Sequence, residues 1–165
     1  MSLDAPIFFA ENRVWRGYTG GALLDRFHAA GPGTDGHRPE DWLGSTVRAV
    51  NGEHSQGPEE GLSRVLNRDG SPGPLLRNLL REQADSILGE DHVSRYGANL
   101  GILCKYLDSA IRLPIQCHPD KPMAKEYYNS IYGKIEAWYI LDTRIVNGEQ
   151  PYLLMGFKDG IHRDV

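Results

Sequence analysis

The sequence predicts a mainly β fold with a helical insertion. Short strand-like segments recur along the chain, at residues 6–10, 41–50, 99–107, 111–118, 134–141 and 152–157, and those at 111–118 and 134–141 alternate with period two. Nineteen glycines and ten prolines in 165 residues supply many turns and argue against a helical bundle. Against that background, Leu75, Leu76, Leu79, Leu80, Ile87 and Leu88 recur at helical spacing, which sets a helical segment near residues 58–89.

Length and composition set the broad class. A chain of this size suits one domain, residues 1–165, with a real hydrophobic core. Its 40% hydrophobic and 24% charged residues are ordinary for a soluble protein. The net charge of -4, with no run of lysine or arginine, argues against a nucleic-acid surface and against electrostatic membrane binding. No apolar run approaches the roughly 20 residues needed to cross a bilayer. Residues 1–20 contain no basic region followed by an apolar core, so no signal peptide is expected and the expected compartment is the cytoplasm. The two cysteines, Cys104 and Cys117, both fall in strand-like runs and are expected to be buried free thiols rather than a disulfide.

The elements follow in order. Residues 6–10 form a first short strand, and the stretch 14–21 brings Trp15 against a glycine-rich turn. Trp15 suits either the core or the lining of a pocket. Residues 22–27 suit a single helical turn, and residues 31–39 are a loop by composition. Residues 41–50 return to strand character and close on the turn signal Asn51-Gly52. His54 then falls in a polar loop, where a solvated surface histidine is expected. Pro58-Glu59-Glu60 opens the helical segment as helix N-termini prefer. In the strand-like run 99–107, Lys105 is unusual, because a buried ammonium costs several kcal/mol unless it is paired or faces a polar cavity. It either snorkels outward or faces a site. Residues 120–127 read as a short helix with Pro122 in its first turn, and Asn147-Gly148 marks a late turn.

The stretch 111–141 carries the chemistry. On one strand Arg112, Pro114, Gln116 and His118 share a face, and on the other Lys134 and Glu136 do so. Gln116, His118 and Glu136 are three possible ligands for one metal ion, since zinc takes histidine nitrogen and carboxylate oxygen. The same spacing also suits an ordinary hydrogen-bonded histidine–glutamate pair, and spacing leaves both open.

Two motifs go further. Gln116-Cys117-His118-Pro119-Asp120-Lys121, followed by Gly133-Lys134-Ile135-Glu136-Ala137-Trp138-Tyr139, resembles the signature of the type I phosphomannose isomerases: Gln-x-His-Pro-Asp, then Lys-x-Glu on the next core strand. Trp15-x-Gly17, the strand containing Gly44 and the approach Lys105-x-Leu107-Asp108 resemble the same family in the same order. The resemblance implies a cupin-type jelly-roll β-sandwich. It implies a zinc-dependent aldose–ketose isomerase that interconverts mannose 6-phosphate and fructose 6-phosphate through an enediol. Carried over residue by residue, Gln116, His118 and Glu136 are zinc ligands, Lys134 is the catalytic group beside the metal, and Lys105 and Trp15 line the sugar-phosphate pocket.

Two departures accompany it. The family completes its zinc shell with a second histidine from a later strand and adds a catalytic arginine further on. This sequence reaches Val165 before either, and His162 has a surface-loop context. The chain is therefore expected to be the amino-terminal part of such an enzyme or a shortened relative, with strand edges that invite a homodimer or other self-association. Secondly, Pro114 stands where many relatives carry a serine near the substrate, so that contact lacks its hydroxyl. A non-catalytic cupin-like module that binds metal or sugar phosphate is the alternative from another class.

Overall fold

The computed structural model describes residues 5–154 and 156. Its centre is a three-stranded antiparallel sheet in the order β1 (Arg13–Val14), β2 (Glu40–Leu43), β5 (Cys104–Leu107). The register pairs Val14 with Glu40, Trp42 with Lys105 and Asp41 with Tyr106. Side chains directly opposite across an antiparallel pair share a face. One face therefore carries Val14, Glu40, Trp42 and Lys105, and the other carries Arg13, Asp41 and Tyr106. Pro39 and Gly44, the latter at φ 53, bracket the middle strand and keep it much shorter than the ten residues expected.

The two faces have different contents. Val14, Trp42 and Ala49 form a small apolar cluster on the first. On the second, His28 Nε2 lies 2.8 Å from Asp41 Oδ2 and ties the C-terminus of α1 (Ala22–Phe27) to the sheet. The α1 helix falls where a single helical turn was expected.

The helical insertion differs from the expectation at both ends. Residues 58–61 form a turn rather than the start of a helix, and a hairpin of β3 (Arg64–Leu66) and β4 (Pro72–Leu75) follows. The cause lies at Gly61, which has φ +84. A Cβ there would meet the Trp42 ring at 2.7 Å and the Ala49 backbone nitrogen at 2.8 Å, so the chain bends tightly over Trp42 and cannot coil. Helices α2 (Leu76–Glu82), α3 (Ala84–Leu88) and α4 (Glu90–Tyr96) come after the hairpin. They break at Gln83, with φ -137, and at Gly89, with φ 85. Leu76, Leu79 and Leu80 pack with Val65 in the main core, with Ile7, Phe9, Ile87, Leu88 and Leu100 against it. The expected first strand contributes a single antiparallel bridge, Phe9 to Val65.

Residues 111–118 and 134–141 run without any ladder, although both alternate like strands. Alternation makes one apolar face, but a strand also needs a neighbour for its backbone groups, and none of the described residues supplies one. The apolar face is consequently bare, with Ile115 at 84% and Ile135 at 100% exposure. Between these segments α5 (Lys121–Tyr128) forms as expected, with Pro122 in its first turn and Asp120 Oδ1 accepting the Met123 backbone N–H at 2.9 Å. The Asn147-Gly148 turn also forms, closing a bridge from Val146 to Glu149.

Both cysteines are free, and both are exposed rather than buried. Cys104 lies on the outer strand of the sheet, and Cys117 lies in the unpaired segment. No helix of the described residues is long and apolar enough to cross a membrane. Met155 and Phe157 of the expected last strand, and His162, lie outside the described residues.

Candidate metal centre

Two segments twelve or more residues apart meet around α5. The Lys134 backbone N–H donates to the Pro119 carbonyl at 3.0 Å, which closes the loop that α5 opens. Gly133 makes the approach possible, since a Cβ there would lie 2.9 Å from the Pro119 oxygen and 3.0 Å from the Lys121 nitrogen. The crossing brings His118 Nε2 to 2.9 Å from Glu136 Oε2, and Lys134 Nζ to 3.6 Å from the same oxygen. The His118 and Glu136 side chains are each 24% exposed, so the pair is half-sheltered with one side open.

The donor set suits a borderline cation such as zinc. Two ligand atoms on a tetrahedral zinc are about 3.3 Å apart, given bonds of roughly 2.0–2.1 Å. The 2.9 Å separation of His118 and Glu136 is that of a hydrogen-bonded pair and is shorter than that spacing, so the two would move apart slightly to share a metal. Gln116 is exposed. Among the described residues, no three His, Cys, Asp or Glu side chains converge as a metal site.

A second cluster lies on the inner face of the sheet. Glu40 is only 2% exposed, yet it is a carboxylate, so its oxygens must be satisfied. Its Oε1 accepts from the Tyr18 hydroxyl at 2.5 Å and from Lys105 Nζ at 3.0 Å. Its Oε2 accepts from Arg16 Nε at 3.0 Å and from the Trp42 indole N–H at 2.7 Å. Burial alone would raise the Glu40 carboxyl, but the Tyr18 and Trp42 hydrogen bonds and the Lys105 and Arg16 charges together hold it below its ordinary value. Burial, and then the Glu40 carboxylate, push the Tyr18 hydroxyl far above its usual range, and the Glu136 charge adds to that push.

The expected site residues are therefore divided. His118, Glu136 and Lys134 converge. Lys105 neither snorkels freely nor faces an empty cavity, because Glu40 holds it. Trp15 stacks on His54, with ring centroids 4.3 Å apart and planes at 7°, and also on His37 at 5.5 Å. His54 is exposed, as expected of a surface histidine, and it is also an aromatic partner of Trp15. The Trp15 backbone N–H donates to Glu60 Oε1 at 2.8 Å, and the next residue, Arg16, reaches Glu40.

Glu40, Tyr18 and Arg16 were missed in the sequence. One signal was available: a lysine in an apolar run requires a buried carboxylate, and Glu40 shares the inward face of Trp42 two residues on.

Comparison with known proteins identifies the family. Residues 10–138 match the family model described as phosphomannose isomerase type I, catalytic domain. Mannose-6-phosphate isomerase 1 of Arabidopsis thaliana is 38% identical over 79 residues, which is 48% of this chain and 17% of that protein. The probable mannose-6-phosphate isomerase GmuF of Bacillus subtilis (strain 168) is 39% identical over 76 residues, 44% of this chain and 22% of that protein. The matches thus span less than a quarter of either relative. No solved structure matches the chain. With the match running from β1 through the His118–Glu136 crossing, this chain belongs to the type I phosphomannose isomerase family.

Proposed function

We propose that the chain serves a zinc-dependent aldose–ketose isomerisation of mannose 6-phosphate and fructose 6-phosphate. The observation that carries this reading is the meeting of His118, Glu136 and Lys134 around one carboxylate oxygen, in a chain of this family. His118 and Glu136 would hold the metal, with the Gln116 amide as third donor once it turns inward. The bound metal would polarise the sugar carbonyl and stabilise negative charge on its oxygen.

The remaining work falls to the protein. Isomerisation moves a proton between C2 and C1 through an enediol, so a proton-carrying group must reach those carbons. Lys134 is that group, because its nitrogen sits beside the metal-side carboxylate. Lys105 would offer an ammonium to the sugar phosphate, and Trp15 would offer an aromatic surface. A cupin-type sandwich is the architecture we assign to the whole enzyme, consistent with the small antiparallel sheets here.

A non-catalytic metal-binding module is the second reading, favoured by the exposure of Gln116, which leaves only His118 and Glu136 as paired donors. Turnover decides between the two. The expected result is conversion of mannose 6-phosphate that disappears with a chelator and returns with zinc. Zinc bound at unit stoichiometry without turnover would leave only the binding module.

A further inference from the structure

A further set of ion pairs lies away from the His118–Glu136 crossing and takes no part in the chemistry above. Residues 134–149 form an arm without a ladder, apart from the bridge of Val146 to Glu149. Its Trp138, Tyr139, Ile140 and Leu141 are each more than half exposed, so packing does little to place it. Among the described residues, the hydrogen bonds that tie this arm to residues 1–110 all come from one side chain, Arg144.

The Arg144 fork grips two carboxylates at once. Its Nη1 donates to Asp35 Oδ2 at 2.9 Å, and its Nη2 donates to Asp35 Oδ1. Its Nε donates to Asp108 Oδ1 at 3.1 Å, and Nη2 also reaches Asp108 Oδ2 at 3.3 Å. Both acids are set in place by the start of α1. Asp108 Oδ2 accepts the Leu23 and Gly21 backbone N–H groups at 2.8 and 3.1 Å, and Asp35 Oδ1 accepts that of Ala22 at 3.3 Å. An exposed ion pair contributes little, but a bidentate pair in a sheltered network holds its geometry. The Arg144 and Asp108 side chains are 18% and 7% exposed, and that of Asp35 is 31% exposed. Without the guanidinium, two carboxylates would remain side by side, one of them buried.

The arm is thereby fixed at both ends. Its first residue, Lys134, donates its backbone N–H to the Pro119 carbonyl, and Arg144 follows ten residues later. Glu136 lies between the two anchors, and holding the second one narrows the positions open to every residue in the span. We propose that Arg144 is a positioning residue: its double ion pair with Asp35 and Asp108 latches the far end of the arm and keeps Glu136 directed at His118. The consequence for a metal rests on the zinc reading above, whereas the latch itself does not.

Two measurements on the intact chain separate the latch from the metal. The first is chymotrypsin cleavage of the metal-free protein at residues 138–141, with cleavage after the exposed Tyr96 of α4 as internal control. Local release raises cleavage in step with the open population. Arg144→Gln and Asp35→Asn are each expected to speed cleavage in the arm severalfold and to leave the Tyr96 site unchanged. Arg144→Lys keeps the charge but loses the fork, and is expected to fall between. The second is zinc affinity, expected to weaken about fivefold in Arg144→Gln and to recover in part in Arg144→Lys. Adding Asp35→Asn to Arg144→Gln should change little further, because both break one contact. Wild-type cleavage of the arm in a folded Arg144→Gln variant would overturn the proposal. So would equally faster cleavage at Tyr96, which marks general loosening, or a released arm with wild-type zinc affinity. If Arg144→Gln fails to fold, Asp35→Asn decides. Failure of the zinc reading would appear separately, as a wild-type protein that binds no zinc while its arm still resists chymotrypsin.

Discussion

Glu40 is the residue on which the inner face of the sheet depends. Removing one partner from a buried ion pair leaves the others uncompensated, but Arg16 and Lys105 are partly exposed and regain water, which reduces the cost. Glu40→Gln is expected to destabilise the protein by about 1–3 kcal/mol at pH 7. The sign with pH follows from its lowered carboxyl. A group whose folded value is depressed contributes stability above its unfolded value, and that contribution is lost as the pH falls through the folded one. Urea unfolding should therefore show a gap between wild type and Glu40→Gln that is full at pH 7 and narrows below the ordinary value of 4.5. A gap that does not change with pH would contradict this assignment. At this scale the sequence was legible in part. His118 and Glu136 share the motif that brings them together, and Lys105 announced a need for a partner. Glu40 did not, because a carboxylate beside Pro39 and Asp41 reads as loop until the strand register is known.

Among the elements, α5 and the turn after it build the metal side, and the α2 hairpin region builds the core. Their legibility differed for a physical reason. Local signals set α1 and α5: the former is a compact apolar turn, and the latter has its own cap in Asp120 and a proline in its first turn. The β3–β4 hairpin was obscured because its cause is tertiary, the approach of Gly61 to Trp42. The segments 111–118 and 134–141 alternate correctly yet lack neighbours, and alternation reports a face, not a partner. Two substitutions test these roles. Leu80, 1% exposed in the core, should cost about 2–5 kcal/mol when changed to Ala, read as a lower denaturation midpoint with an unchanged slope. Gly133→Ala places a Cβ against the Pro119 oxygen and should part His118 from Glu136. Zinc retention should then fall while the α2 core keeps its thermal stability. Equal zinc retention in that variant would mean that the close crossing does not set the site.

The whole molecule exposes more surface than a packed chain of its length. The accessible surface is 12317 Å², against about 8,200 Å² expected for a folded monomer of 165 residues. Much of the excess is apolar and contiguous in sequence: Ile135, Trp138, Tyr139, Ile140 and Leu141 are each more than half exposed. Unpaired backbone beside apolar side chains favours pairing with another chain. Sedimentation velocity is expected to show association that grows with concentration, and a strict monomer at the highest soluble concentration would contradict it. The composition correctly indicated strands and turns, but how many strands find partners depends on long-range pairing that no local pattern encodes.

The most direct test of the account is zinc retention by wild type and Glu136→Gln. Loss of a residue that merely orients a metal ligand costs about 10–100-fold in affinity, so loss of a ligand must cost at least that. The account predicts one zinc per chain in wild type and at least about tenfold weaker zinc binding in Glu136→Gln, with an unchanged thermal midpoint in the metal-free state. Equal zinc affinity in the two proteins would remove Glu136 from the metal and with it the central claim.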